Sequence, residues 1–256
     1  MGDQKIPGIY NYCDRWCERC TFTSRCAVFE NELDAPEGSH DLNNKAFWDR
    51  LSENFSKARQ MLQQAAEHYN IDLAAIAQEA NDIDLKQKII RQESREHPLG
   101  DLSFQYTKLS MDWLKRQPGM LDKLQEMKSD LTMGVESIEA GKEKIAMIKD
   151  CLAIIKWYEV FIHVKFMRAL SGRANAVNYT FAELEESPYG SDADGSAKIA
   201  LIGIERSMNA WAKLFELLPQ YEDEFLKVLG LLDKLKKLAI EEFPKAMEFK
   251  RPGFDE

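Results

Sequence analysis

From Ile145 to Leu170 a stripe stepping three or four residues at a time reads Ile145, Ile148, Leu152, Ile155, Glu159, Ile162/His163, Phe166 and Leu170, apolar at all but Glu159 and His163. That period belongs to one face of an α-helix, because a strand turns alternate side chains to opposite faces. A helix over roughly 138–170 would be about 50 Å long at 1.5 Å per residue, and its apolar stripe needs other helices to cover it. Charges at Lys149, Asp150, Lys156, Glu159, Lys165 and Arg168 interrupt the run too often for a bilayer span. The feature therefore predicts the central helix of a bundle.

The rest of the chain repeats the pattern. Leu42 to about Tyr69 carries Phe47, Leu51, Phe55, Ala58, Leu62, Ala65 and Tyr69 on one face. A second helix runs through Leu73, Ile76, Ala80, Ile83 and Ile90 and stops before His97-Pro98-Leu99-Gly100, with His97 expected as a cation at the helix end. Leu102, Tyr106, Leu109 and Trp113 mark a third, broken by Pro118-Gly119. Met120 to Leu131, Tyr179 to Glu186, about Ser196 to Leu218, and the stretch from Pro219 read as further helices. No segment shows strand alternation. The expected fold is all-α, a bundle of about six or seven long helices over residues 42–256. Residues 1–41 form a cysteine-rich, metal-binding segment and its connector.

That segment holds four of the five cysteines in fourteen residues, Cys13, Cys17, Cys20 and Cys26, spaced C-x3-C-x2-C-x5-C. Met1 to Gly8 has no apolar run like that of a secretory signal, so a cytoplasmic location is expected. Reducing conditions there disfavour disulfides and favour a metal. A single compact loop supplying every ligand points to a [4Fe-4S] cluster, with zinc as the alternative, since structural zinc sites pair two short hooks across a longer loop. Arg15, Arg19 and Arg25 can offset thiolate charge, and Tyr12, Trp16, Phe22 and Phe29 can exclude water.

The spacing of the first three cysteines resembles that of the radical S-adenosylmethionine enzymes. Two features argue against membership: Cys26 could complete the ligand set, and the chain lacks the strand–helix alternation of that family's barrel.

A second candidate lies in the bundle. Glu159 and His163 fall on the apolar stripe one turn apart, and Glu205 falls on the expected inward face Leu201, Ile204/Glu205, Met208, Ala212, Phe215. Two carboxylates and an imidazole suit iron, manganese or zinc. The spacing is E-x3-H, whereas the ferritin-like di-iron pattern is E-x2-H. A buried polar pair, with Glu205 ion-paired at the bundle edge, is the competing reading.

A formal charge of -9 argues against a broad nucleic-acid footprint, and no phosphate-cradling loop is found. Two functions are expected from these features. One is a redox protein or metal-dependent oxidoreductase with an electron-transfer partner. The other is a helical scaffold with a structural zinc site that binds a partner protein.

Overall fold

The computed structural model describes residues 4–33, 43–69, 71–116, 138–178 and 191–255. Among them are seven α-helices and no strand: α1 (Ala27–Leu33), α2 (Lys45–His68), α3 (Leu73–Glu96), α4 (Pro98–Arg116), α5 (Ile138–Asn178), α6 (Asp192–Leu217) and α7 (Glu222–Glu242). The all-helical expectation holds. The runs expected at Met120–Leu131 and Tyr179–Glu186 lie outside the described residues. Tertiary contacts divide the chain into two units, one of Met1–Asn11 and Arg15–Ile89, the other of Tyr12–Asp14 and Ile90–Glu256. No helix is long and apolar enough to cross a membrane among the described residues.

In the first unit, Asn44 caps α2 by accepting the Ala46 N–H at 3.0 Å, one of the donors that a helix start leaves unpaired. The stretch before the first cysteine is laced to the cysteine segment. Ile6 N–H donates to the Arg25 carbonyl at 3.0 Å, Lys5 Nζ to the Ser24 carbonyl at 3.1 Å, and Arg25 Nε to the Gln4 carbonyl at 3.2 Å. Ile9 is buried.

The second unit is a bundle of α4, α5, α6 and α7, with α5 against α6 as its main contact. The buried face of α5 is Ile145, Ile148, Cys151, Ile155, Tyr158, Ile162, Phe166 and Leu170. On α6 it is Gly203, Ile204, Ser207, Trp211 and Leu214, so the expected stripe is displaced by about one residue, and Glu205 and Ala212 are exposed. The reason is size. A Cβ on Gly203 would stand 3.1 Å from both Ile162 Cγ1 and Tyr158 Cδ1, so the closest approach of the two helices runs through small residues that hydrophobic periodicity undervalues.

Trp113 on α4, Trp211 on α6 and Phe225 on α7 meet in one buried aromatic cluster, with ring centroids 5.1 to 5.6 Å apart. Edge-to-face and tilted contacts at these separations suit the ring quadrupoles, and each large side chain adds about 1.5–3 kcal/mol over leaving it in water.

His97 differs from expectation. Its Nδ1 accepts the Leu99 N–H at 3.1 Å, so the ring caps the start of α4 ahead of Pro98, and Nε2 lies 3.6 Å from Glu242.

A clasp holds the segment after α7. Lys198, buried on α6, donates to the Phe249 carbonyl at 2.6 Å and pairs with Asp255 at 2.8 Å, while Arg251 meets Asp255 at 2.7 Å. Burial alone would raise the Asp255 carboxyl, but hydrogen bonds from Arg251 and Lys198 hold it well below the ordinary carboxylate range. A depressed carboxyl stabilises the fold above its unfolded pKa of about 3.9 and loses that contribution as pH falls towards the folded value. Asp255→Asn is thus expected to be less stable than the parent at pH 7, with the gap narrowing below about pH 4 in urea titrations. A gap that stayed constant from pH 7 to pH 2 would contradict this account.

Candidate metal centre

The cysteine segment folds as short 3-10 turns. Cys17 opens the turn Cys17–Arg19, and Cys20 closes it with φ -89° and ψ 130°. The turn Thr23–Arg25 closes on Cys26 with φ -108° and ψ 117°. Each closing cysteine donates its N–H back to the first carbonyl of its turn, Cys20 to Cys17 at 3.1 Å and Cys26 to Thr23 at 3.2 Å. The segment thus uses the same device twice, a tight turn that ends by presenting a cysteine from extended backbone. The Phe22 N–H donates to Cys20 Sγ at 3.4 Å. All four cysteines are half-buried, and none is in a disulfide. Arg19 lies over the Trp16 ring at 3.9 Å, and Arg25 is held by the Gln4 carbonyl.

Cys13 sits between two anchors in the second unit. Tyr12 donates its hydroxyl proton to Asp192 Oδ1 at 2.9 Å, and Arg168 grips the same carboxylate at 2.6 Å. Burial, then the Asp192 hydrogen bond, pushes the Tyr12 phenol up to about 12. On the other side, the Trp157 indole N–H donates to the Asp14 carbonyl at 2.9 Å, and the Tyr158 hydroxyl to Asp14 Oδ2 at 2.6 Å. Arg206 donates to both Asp14 and the Tyr158 oxygen. Space for this docking comes from Gly195, where a Cβ would fall 2.5 Å from Tyr12 Cε1 and 2.7 Å from Phe249 Cζ.

The bundle residues go to separate partners. Glu205 is on the exposed side of α6 and pairs with Lys236 at 3.0 Å, which corrects its expected inward position. His163 Nδ1 lies 2.9 Å from Ser103 Oγ on α4. Ser103 gives its own proton to the Gly100 carbonyl, so the neutral ring donates from Nδ1. Burial lowers the His163 pKa, partly opposed by the Gly100 carbonyl. Glu159 flanks the core face of α5: the Thr107 hydroxyl reaches its backbone carbonyl at 2.6 Å, while its Oε2 is buried with no hydrogen-bond partner. Burial raises the Glu159 carboxyl against the pull of Lys156 and Lys115.

The four cysteines are of the right chemical type for a thiolate-bound metal. Among the described residues, however, no group of three or more His, Cys, Asp or Glu is gathered so as to hold an ion. Cys151 is buried in α5 with its thiol pushed up by burial, as befits a core residue. The chain gives no significant match to any family model, curated protein or solved structure.

Sequence reasoning missed Asp14, Arg206, Asp192 and Gly195. Asp14 lies inside the C-x3-C spacing, and an acidic residue held between two thiols is the one signal that could have drawn attention to it.

Two outcomes follow. Gly195→Ala is expected to displace Tyr12 or Phe249, to cost about 1–3 kcal/mol by urea denaturation, and to raise the alkylation rate of Cys13 relative to Cys17. Equal labelling rates in parent and variant would show that Gly195 does not hold Cys13 in place. Glu159→Gln is expected to be more stable than the parent at pH 7. Because the folded carboxyl is raised, that advantage shrinks as pH falls through the glutamate range, a trend that paired melting curves would read.

Proposed function

We propose that Cys13, Cys17, Cys20 and Cys26 hold an iron–sulfur centre and that the protein is a redox protein, either an electron carrier or the electron-accepting part of a metal-dependent oxidoreductase. The observation that carries this reading is the recurrence of cysteines at the ends of successive tight turns within fourteen residues, with no disulfide among them. A bound cluster would supply one-electron transfer at a potential set by its surroundings.

The chain's own contribution is to place and surround the thiolates. Phe22 N–H would stabilise charge on the Cys20 sulfur, and the hydrogen bonds to Asp14 would restrict the backbone next to Cys13. The four cysteines are half-buried, which would let a partner protein approach the centre. Glu159, His163 and Glu205 are not part of this proposal, because Glu205 is engaged by Lys236 and His163 by Ser103.

The second reading is a structural zinc site on a helical scaffold that binds a partner protein. The paired turns favour it, since zinc is often gripped by short hooks. Protein purified without oxygen separates the two. About four irons with matching sulfide and a broad visible absorption, lost in Cys20→Ser, are expected for the cluster. One zinc per chain and no visible absorption would overturn the redox reading in favour of the scaffold, and the absence of any metal would overturn both.

A further inference from the structure

The segment that follows α7 packs on α6 at the place where Tyr12 docks. Gly195 and Lys198 stand three residues apart on α6, so they share one face of that helix. The Phe249 ring lies 4.6 Å from the Tyr12 ring, tilted by 57°, and both close over Gly195, whose missing Cβ leaves room for them. Phe249 is buried although it belongs to no helix. Its backbone is held one turn along α6. The buried Lys198 ammonium donates to the Phe249 carbonyl at 2.6 Å and to the Met247 carbonyl at 3.3 Å, and pairs with Asp255 at 2.8 Å. That is one acceptor for each of its N–H bonds. Asp255 is fixed in turn by the Arg251 N–H at 3.0 Å and the Arg251 guanidinium at 2.7 Å.

We propose that residues 243–255 form a strap that positions Cys13: Phe249 clamps Tyr12 onto α6, and the Lys198–Asp255 pair locks the strap in place. The line of contacts is short. Phe249 touches Tyr12, and Tyr12 immediately precedes Cys13, so displacing the ring moves the backbone that carries the thiol. Asp192 and Arg168 hold the far end of Tyr12 at its hydroxyl side, which leaves the ring face to Phe249. Chain outside helices opens at lower free energy than a helix core, so packing of one ring needs a backbone lock to make a firm clamp. The buried ion pair supplies it. Removing Asp255 strands the Lys198 ammonium without its carboxylate, a cost that falls on the strap before it falls on the helices beneath. Phe249 is therefore a positioning residue that acts on the sulfur through Tyr12. The consequence for a bound metal rests on the function proposed above, whereas the hold on the thiol does not.

Alkylation of the reduced, metal-free full chain by iodoacetamide, resolved cysteine by cysteine by mass spectrometry, tests the proposal. Phe249→Ala is expected to raise the Cys13 rate about three- to tenfold, as loss of one buried aromatic contact would, with Cys17, Cys20 and Cys26 within about twofold of their parent rates. Asp255→Asn is expected to raise the Cys13 rate in the same sense. Phe243→Ala controls for lost stability: Phe243 is buried in the same segment but lies under Arg173 at 4.7 Å, and its truncation is expected to leave Cys13 at the parent rate. Should Phe249→Ala lose its helical circular dichroism, Phe249→Leu keeps an apolar contact with Tyr12 and is expected to give a smaller rise at Cys13 alone. An unchanged Cys13 rate in the folded Phe249 variant, an equal rise at all four thiols of the segment, or a rise in Phe243→Ala as large as in Phe249→Ala would overturn the proposal. A parent that binds no metal would overturn the function proposed above, and the labelling would still decide the strap.

Discussion

Two helices can approach closely only where the side chains between them are small, and Gly203 determines where α5 and α6 meet. Its missing Cβ lets Ile162 and Tyr158 of α5 close against the α6 backbone. The contact fixes the register of the pair and sets Tyr158 and Arg206 side by side at its edge, where both reach Asp14. Gly195, two turns earlier on α6, admits Tyr12 by the same means. Small residues on one helix thus build the helix pair and create the surface on which residues 12–14 dock.

Polar groups set the register of α4. Ser103 meets His163, and Thr107 meets the Glu159 carbonyl, so a serine and a threonine one turn apart on α4 read two positions one turn apart on α5. Tyr106 and Trp211 continue the polar band across to α6 at 3.4 Å. Burial raises the Tyr106 phenol, and the neighbouring hydroxyls of Ser110 and Ser207 only partly offset that cost. A polar band inside an apolar bundle specifies one arrangement of helices more sharply than it stabilises it. It also explains why His163 is polar on a stripe otherwise apolar, since its ring meets Ser103 at the flank facing α4; Glu159 joins the band through its backbone carbonyl, and its Oε2 is buried with no hydrogen-bond partner.

The helical class and six of the seven described helices, α2 to α7, were legible, because a 3.6-residue period over long runs is a strong signal; α1 was not expected, and α5 runs to Asn178, past its expected end at Leu170. The face of α6 was not legible. Glycine and serine carry the closest helix contact there, and a pattern that scores apolarity moves the stripe to Glu205 and Ala212. His97 was read as a cation at a helix end, but the ring caps the following helix, since a proline at the first helical position allows the preceding side chain to accept a backbone N–H. Within the cysteine segment the thiols themselves were evident from spacing. Their supports were not, because Asp14 meets Tyr158 and Arg206 across 144 and 192 residues of sequence, a separation that local pattern cannot span.

The central claim is that the four cysteines of the N-terminal segment bind one metal centre. X-ray absorption at the metal edge of protein purified without oxygen reads that coordination directly. Four sulfur neighbours per metal at about 2.3 Å are predicted, with a short iron–iron distance if the centre is a cluster. A first shell dominated by nitrogen and oxygen would place the metal elsewhere in the chain and contradict the account.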